Sequence, residues 1–242
     1  MRKRAEDRSP GFSLLEALLS LTIFFLIFAG SLEFFGTARR VFFRLLSRQE
    51  NHQAAWAALD RIRSDVLLAG RGLVRPMRLG IVAPAEEAGG RWVLVRAGAA
   101  PVLTAGPRAG ETTVAVAGAN PDWAGKTLCL YDRTRGEKAV ILEAVGGILT
   151  LSSPLDCDYR IPEASAAVLQ TTSLFLDAGQ GVLRRKSDSS SAQPLLEDVH
   201  SFTFIYDSET CLAEARLSLA SAPEEFHALK ILARNALLGK MR

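Results

Sequence analysis

Histidine and cysteine are scarce in this 242-residue chain, with three of each. Cys129, Cys157 and Cys211 form no CxxC pair, and His52, His200 and His227 lie close to none of them. That spacing excludes a zinc module. If the C-terminal part faces an oxidising compartment, one disulfide leaves one thiol over; three semi-buried thiols are the other reading, and spacing does not choose between them. Excess charge is lacking too. The 29 basic and 26 acidic side chains fall to 25 and 24 once Arg2, Lys3, Arg4, Arg8, Glu6 and Asp7 at the front are set aside. So even a balance gives no basis for nucleic acid or an acidic ligand as partner. No GxSxG, HExxH, P-loop or GxGxxG occurs, and Cys211 has no adjacent base. The expectation is a protein that is not an enzyme, with no cofactor and no metal. The 48% hydrophobic and 23% charged content is that of a folded chain, with length for one sizeable domain or two small ones.

What the chain does have is concentrated at its start. A basic leader, MRKRAEDRSPG, precedes FSLLEALLSLTIFFLIFAGSLEFFGTARR, and residues 17–32 carry no charge. From Phe12 to Ala38 only Glu16 and Glu33 interrupt the apolar run. A helix of that length rises roughly 40 Å, more than a bilayer core of about 30 Å. The basic residues before it favour a cytoplasmic N-terminus, with the bulk of the chain across the membrane. A secretory signal peptide would be cut after the run, near Ala29-Gly30-Ser31, but the run is long for that purpose. A plain signal anchor has no use for Glu16, which costs roughly 2.5–3.5 kcal/mol at a bilayer centre.

Gly11-Phe12-Ser13-Leu14-Leu15-Glu16 resembles the cleavage and methylation motif of type IV prepilins. The resemblance implies a prepilin peptidase cut after Gly11, N-methylation of Phe12 as the new terminus, and an assembly role for Glu16. It divides the chain into a leader at 1–11, a transmembrane and assembly half of the first helix at 12–38, an amphipathic half at 39–70 and a β-rich head at 71–242.

Beyond Arg40, apolar residues recur at Phe42, Leu45, Leu46, Ala55, Trp56, Leu59, Ile62 and Val66, close to a 3.6-residue period. Arg44, Arg48, Glu50, Asp60, Arg63 and Ser64 take the other face. The pattern predicts one helix from Phe12 to about Leu68, able to bend at Gly30 or Gly36, with residues 42–66 packed as core. Gly70, Gly72 and Pro76 give the stop. Thereafter short apolar runs alternate with turn signals such as Gly146-Gly147 and Gly179-Gln180-Gly181. They predict ten strands: 92–96, 112–116, 127–131, 138–145, 148–151, 167–176, 181–185, 201–206, 214–219 and 226–233. The expected fold class is therefore α+β, a long helix packed on a β-rich head, and the resemblance implies that this is the pilin-like lollipop layout.

Four segments resemble minor pilins of the PilW and general-secretion J type: LDRIRSDVLLAGRG at 59–72, the hairpin ending in Arg184-Arg185, LLEDVHSFTFIYDSE at 195–209, and Arg234-Asn235. The first also reads simply as a solvated charged helix end. The resemblance implies a minor type IV pilin at the tip, priming assembly. The alternatives are a J-type pseudopilin of a type II secretion system and, in another class, a tip adhesin or DNA-uptake module. Its partners would be other pilins or pseudopilins, the prepilin peptidase and the inner membrane before assembly. Some pseudopilins bind calcium in acidic loops; Asp122, Asp132, Asp156 and Asp158 are loop acids here, without EF-hand spacing. Trp123, Tyr131 and Tyr159 are candidates for a binding surface, with core packing as the plainer reading.

Overall fold

A computed structural model describes residues 13–188 and 190–240; Gly11 and Phe12, the expected processing residues, lie outside the described residues. The chain separates into two compact units, Met1–His52 and Gln53–Arg242. One helix, α1, runs Leu14–Leu68. No proline occurs between Gly11 and Arg75, and leucine and alanine, strong helix formers, dominate the stretch. Ser13 caps its start: the Glu16 backbone N–H donates to Ser13 Oγ at 3.2 Å. Ser13 and Glu16 thus stand in the positions of a capping box. The helix passes through Gly30 and Gly36 uninterrupted. Within the apolar stretch Thr22 and Ser31 donate their hydroxyls to Leu18 and Ile27 carbonyls, both at 2.8 Å, so these hydroxyls are satisfied without water.

After α1 come α2 (Val74–Arg78), β1 (Ala85–Ala88), β2 (Arg91–Ala99), β3 (Val102–Leu103), β4 (Thr113–Ala117), β5 (Thr127–Tyr131), β6 (Gly136–Val145), β7 (Ile148–Leu151), β8 (Ser165–Asp177), β9 (Val182–Ser187), β10 (Gln193–Leu196), β11 (Val199–Asp207), β12 (Leu212–Leu219), β13 (Ala222–Leu232) and α3 (Arg234–Lys240). The larger sheet has the order β1-β2-β8-β5-β6-β7-β4-β3, with β9 beside β8 and β10 beside β9; β11, β12 and β13 form a second sheet. Every pairing among the described strands is antiparallel. The class is α+β, a long apolar N-terminal helix followed by an antiparallel β head.

β8 has three partners. β2 lines one side, while the other side is shared by β5 along residues 165–168 and β9 along 172–177. Asp188 sits at the fork. Its backbone N–H donates to the Thr171 carbonyl at 2.9 Å, and its carboxylate accepts from the Thr171 N–H at 2.7 Å. Lys126, just before β5, lies 3.5 Å from the same carboxylate. Asp188 adopts φ +45°, a left-handed conformation that aspartate tolerates better than most residues. The backbone left without a strand partner where β5 and β9 part is thereby satisfied.

The largest core cluster joins Ala55, Ala58, Leu59, Ile62 and Val66 of α1 to Leu174, Leu183, Phe204, Ala213, Ala215, Leu217 and Ile231. Alternate residues Ala213, Ala215 and Leu217 of β12 turn inward, the period of two that a half-buried strand requires. The expected core stripe is therefore corrected. It holds from Ala55 onward, whereas Phe42, Leu45, Leu46 and Trp56 are exposed.

α1 ends where Gly70 and Gly72 adopt φ +74° and +75°. At Gly72 a Cβ would lie 2.8 Å from Ala97 Cβ, so a side chain is excluded on packing as well as on backbone grounds. The turn then bonds to β2: Gly70 N–H to the Val95 carbonyl at 2.7 Å, and Ala97 N–H to the Arg71 carbonyl at 2.9 Å.

β5 and β7 match the expected strands to the residue, and the other eight overlap theirs. Three strands and the short helices α2 and α3 escape the sequence pattern, α2 forming across Pro76, which the sequence offers as a stop. β1 is Ala-Glu-Glu-Ala, poor in strand formers; β3 is two residues long; β10 contains Pro194 beside a register shift. Arg234-Asn235 opens α3 rather than closing a strand.

Candidate functional site

Two features stand out, and each is organised by a carboxylate of α1. The first is the exposed N-terminal stretch. Leu14, Leu15, Leu18, Leu19, Phe24, Phe25, Leu26 and Ile27 are each at least half exposed, as are most apolar side chains up to Leu45. α1 is, among the described residues, one helix long and apolar enough to cross a membrane. Glu16 lies in its first turn, where the positive end of the helix dipole favours a carboxylate. Its side chain is exposed.

The second feature is a joint at the other end of α1. Asp65 is 7% exposed. Arg185 of β9 grips it with both arms of the guanidinium, Nε to Oδ2 at 2.6 Å and the second nitrogen to Oδ1 at 2.8 Å. These hydrogen bonds hold the Arg185 guanidinium above its ordinary pKa. A bidentate pair of this kind fixes both distance and orientation. Two residues on, the Leu67 carbonyl, one of the unpaired carbonyls at the helix end, accepts from Asn235 Nδ2 at 2.7 Å. Phe204 and Tyr206 of β11 join the same cluster, Phe204 buried and Tyr206 half-buried.

The four segments singled out in the sequence thus converge: 59–72 supplies Asp65 and Leu67, the β8–β9 hairpin Arg185, residues 195–209 the aromatic side chains, and the C-terminal pair Asn235. The solvated helix end describes Asp60 and Arg63, exposed and 3.9 Å apart, but not Asp65. Sequence reasoning left Asp65 off both faces. Its signal was spacing, since 58, 62, 65 and 69 recur on the buried side of a 3.6-residue helix. Arg184, the neighbour in the same motif, turns instead to Asp177 Oδ2 at 3.1 Å.

The remaining candidates are brought to no common place. Trp123 and Tyr159 pack on one cluster and Tyr131 on another. Tyr159 is 2% exposed. Its hydroxyl and Glu137 Oε1 are both buried without a completed hydrogen bond. Burial first, then the Glu137 carboxylate, pushes the phenol well above its usual range.

The loop acids serve their own turns. Asp132 accepts from the Thr134 and Arg135 N–H groups, which hold its carboxyl down at about 2. Asp158 accepts from the Ala109 N–H at 2.9 Å, and the Asp122 N–H is held by Asn120. The Asp156 N–H donates to Glu137. Among the described residues no three His, Cys, Asp or Glu side chains are placed to hold a metal ion.

The three cysteines are free thiols, Cys129 and Cys211 buried and Cys157 half-buried, each against a different cluster. Burial pushes the Cys129 thiol up to about 12, so it stays protonated and unreactive.

Comparison with protein-family models, curated proteins and solved structures finds no match to this chain.

Proposed function

We propose that this chain is a minor type IV pilin, processed after Gly11 and built into a filament through α1, most naturally at its tip. The observation that carries the reading is a helix whose apolar side chains stay exposed for most of residues 14–46 while a carboxylate stands one turn inside its start. Such a surface is satisfied by a bilayer and then by the apolar helices of other subunits. Glu16 supplies the register. A cut after Gly11 creates an amine on Phe12, and the amine of an incoming subunit pairs with the Glu16 carboxylate of its neighbour. Each charge alone is costly away from water, so the pair favours one axial offset. The joint at Asp65 supports the resemblance in a separate way, because it gives a physical reason for the four scattered segments to occur together. The lollipop layout and the inner-membrane topology, with the head outside the cytoplasm, belong to the same reading.

A J-type pseudopilin of a secretion system shares all of these features. Deleting the gene separates the two by phenotype, loss of pili against loss of a secreted protein. The decisive measurement is the mature N-terminus by mass spectrometry. N-methylphenylalanine at residue 12 is expected, and a start near residue 30 would overturn the proposal. Glu16→Ala should be cleaved normally yet fail to enter filaments; normal incorporation would remove the role given to Glu16.

A further inference from the structure

The sequence that follows the apolar stretch is unlike the rest of α1. Arg39, Arg40, Arg44 and Arg48 fall within ten residues, and no acidic residue stands between Glu33 and Glu50. Arg40, Arg44 and Arg48 follow at four-residue spacing and share one side of the helix. Phe42, Leu45 and Leu46 fall on the other side together with Arg39, and Phe42 and Leu45 are 61% and 60% exposed. Among the described residues Arg39, Arg40 and Arg44 pair with no carboxylate. Arg40 folds back along its own helix, Nε to the Gly36 carbonyl at 3.3 Å, and Arg39 lies over the Phe43 ring at 5.5 Å from its centre. Glu33 and Glu50 are the acids that flank this stretch in the sequence.

The axial position of this cluster is set by the span. If the hydrocarbon core of about 30 Å takes some 20 residues, the interval from Leu18 to Ala38 fills it. This register leaves Glu16 at one boundary, where a carboxylate is least costly. It places Arg39 and Arg40 at the other boundary and Arg44 within about 9 Å of it, the depth of the headgroup layer. Guanidinium groups bind phosphate oxygens through paired N–H donors.

We propose that residues 39–44 form an anionic-phospholipid collar, in which Arg39, Arg40 and Arg44 take lipid phosphates on the head side of the membrane. The collar rests on the membrane-spanning reading of α1 but not on cleavage after Gly11. It holds the subunit at one depth before assembly, with Glu16 at the opposite surface.

The test uses the full chain in vesicles of mixed phosphatidylcholine and phosphatidylglycerol, excised with a polymer that retains the surrounding lipid, the lipids then quantified by mass spectrometry. Wild-type protein should carry phosphatidylglycerol enriched at least about twofold over the bulk mixture, and raised salt should reduce that enrichment. The combined variant Arg39→Gln, Arg40→Gln, Arg44→Gln should return to the bulk ratio. Arg61→Gln with Arg63→Gln, exposed arginines further along α1, should keep the enrichment. Wild-type protein at the bulk ratio, or a triple variant that stays enriched, overturns the proposal. So does a triple variant that loses cross-links to other subunits while the wild type shows no enrichment, because the arginines then belong to a protein partner. The mature N-terminus, read on the same sample, keeps the two proposals apart. An uncut chain with enriched lipid sinks the pilin reading alone, and a cut chain at the bulk ratio sinks the collar alone.

Discussion

α1 carries carboxylates near its two ends, and their surroundings are opposite. Glu16 is exposed on a helix stretch whose apolar residues are exposed as well. Asp65 is buried, gripped by Arg185, and ringed by Leu59, Ile62, Val66 and the strands that cover them. The helix is regular at both places, so backbone propensity does not distinguish them. The difference lies in what the chain supplies later. Asp65 is completed by Arg185, 120 positions on, and the Leu67 carbonyl near by is completed by Asn235, 168 positions on. No described residue completes Glu16. The carboxylate satisfied inside the fold serves structure, and the one left open on an apolar surface is the one to which the proposed assembly role falls.

The sharpest way to break this contrast is to remove a partner. Arg185→Ala leaves the Asp65 carboxylate buried and alone, and should destabilise the head by about 3–5 kcal/mol in denaturant unfolding. Asp65→Leu with Arg185→Met should recover most of that loss, because a well-packed apolar pair of similar volume replaces a buried ion pair at little cost. If the single and double variants unfold alike, the joint is not held by the pair.

Two leucines of the same helix test the contrast through packing. Leu59, wholly buried, should lose about 2–5 kcal/mol on replacement by alanine, whereas Leu19→Ala should leave the head's unfolding within about 0.5 kcal/mol of wild type. Equal effects would contradict the separation of the two stretches.

A smaller effect is expected at Asn235→Ala, which strips the Leu67 carbonyl of its donor. The loss should be about 1 kcal/mol, and hydrogen exchange should quicken in the last turn of α1.

The smallest effect concerns acid. Asp132 titrates lower in the folded chain, at about 2, than its ordinary 3.8. Its stabilisation of the 132–135 turn is therefore complete above the ordinary value and is lost as pH falls from about 4 through about 2. Amide exchange at Thr134 and Arg135 should quicken across that window, and Asp132→Asn should show no such step.

Much of the fold could be read from sequence because it rests on local pattern. The uninterrupted Leu/Ala-rich run, the absence of proline and the glycines at 70 and 72 define α1, and alternation with glycine turns defines most strands. The misses are tertiary. β1 and β10 are strands only because β2 and β9 offer edges to pair with, which Ala-Glu-Glu-Ala and a proline-containing segment do not announce. The exposed Phe42 and Leu45 obey the same period as buried Leu59, and periodicity carries no information on which part of a stripe finds a cover. The resemblance at Gly11–Glu16 was legible as a motif, yet among the described residues its physical counterpart is limited to the capping by Ser13 and the open carboxylate of Glu16. Asp65 was visible as a charge but assigned to neither face of α1, because its partner lies 120 residues away.

The fork in β8 has a practical consequence. Asp188 closes the gap between β5 and β9, while Ser190 and Ser191, just after it, are exposed and lie ahead of β10. A peptide label inserted after Ser191 would lengthen a surface loop and leave the closure intact. The same insertion two strands earlier, between Leu169 and Thr172, would split the large sheet at its busiest strand. The molecule thus offers its own attachment point for a label, close in sequence to the place where it can least tolerate being touched.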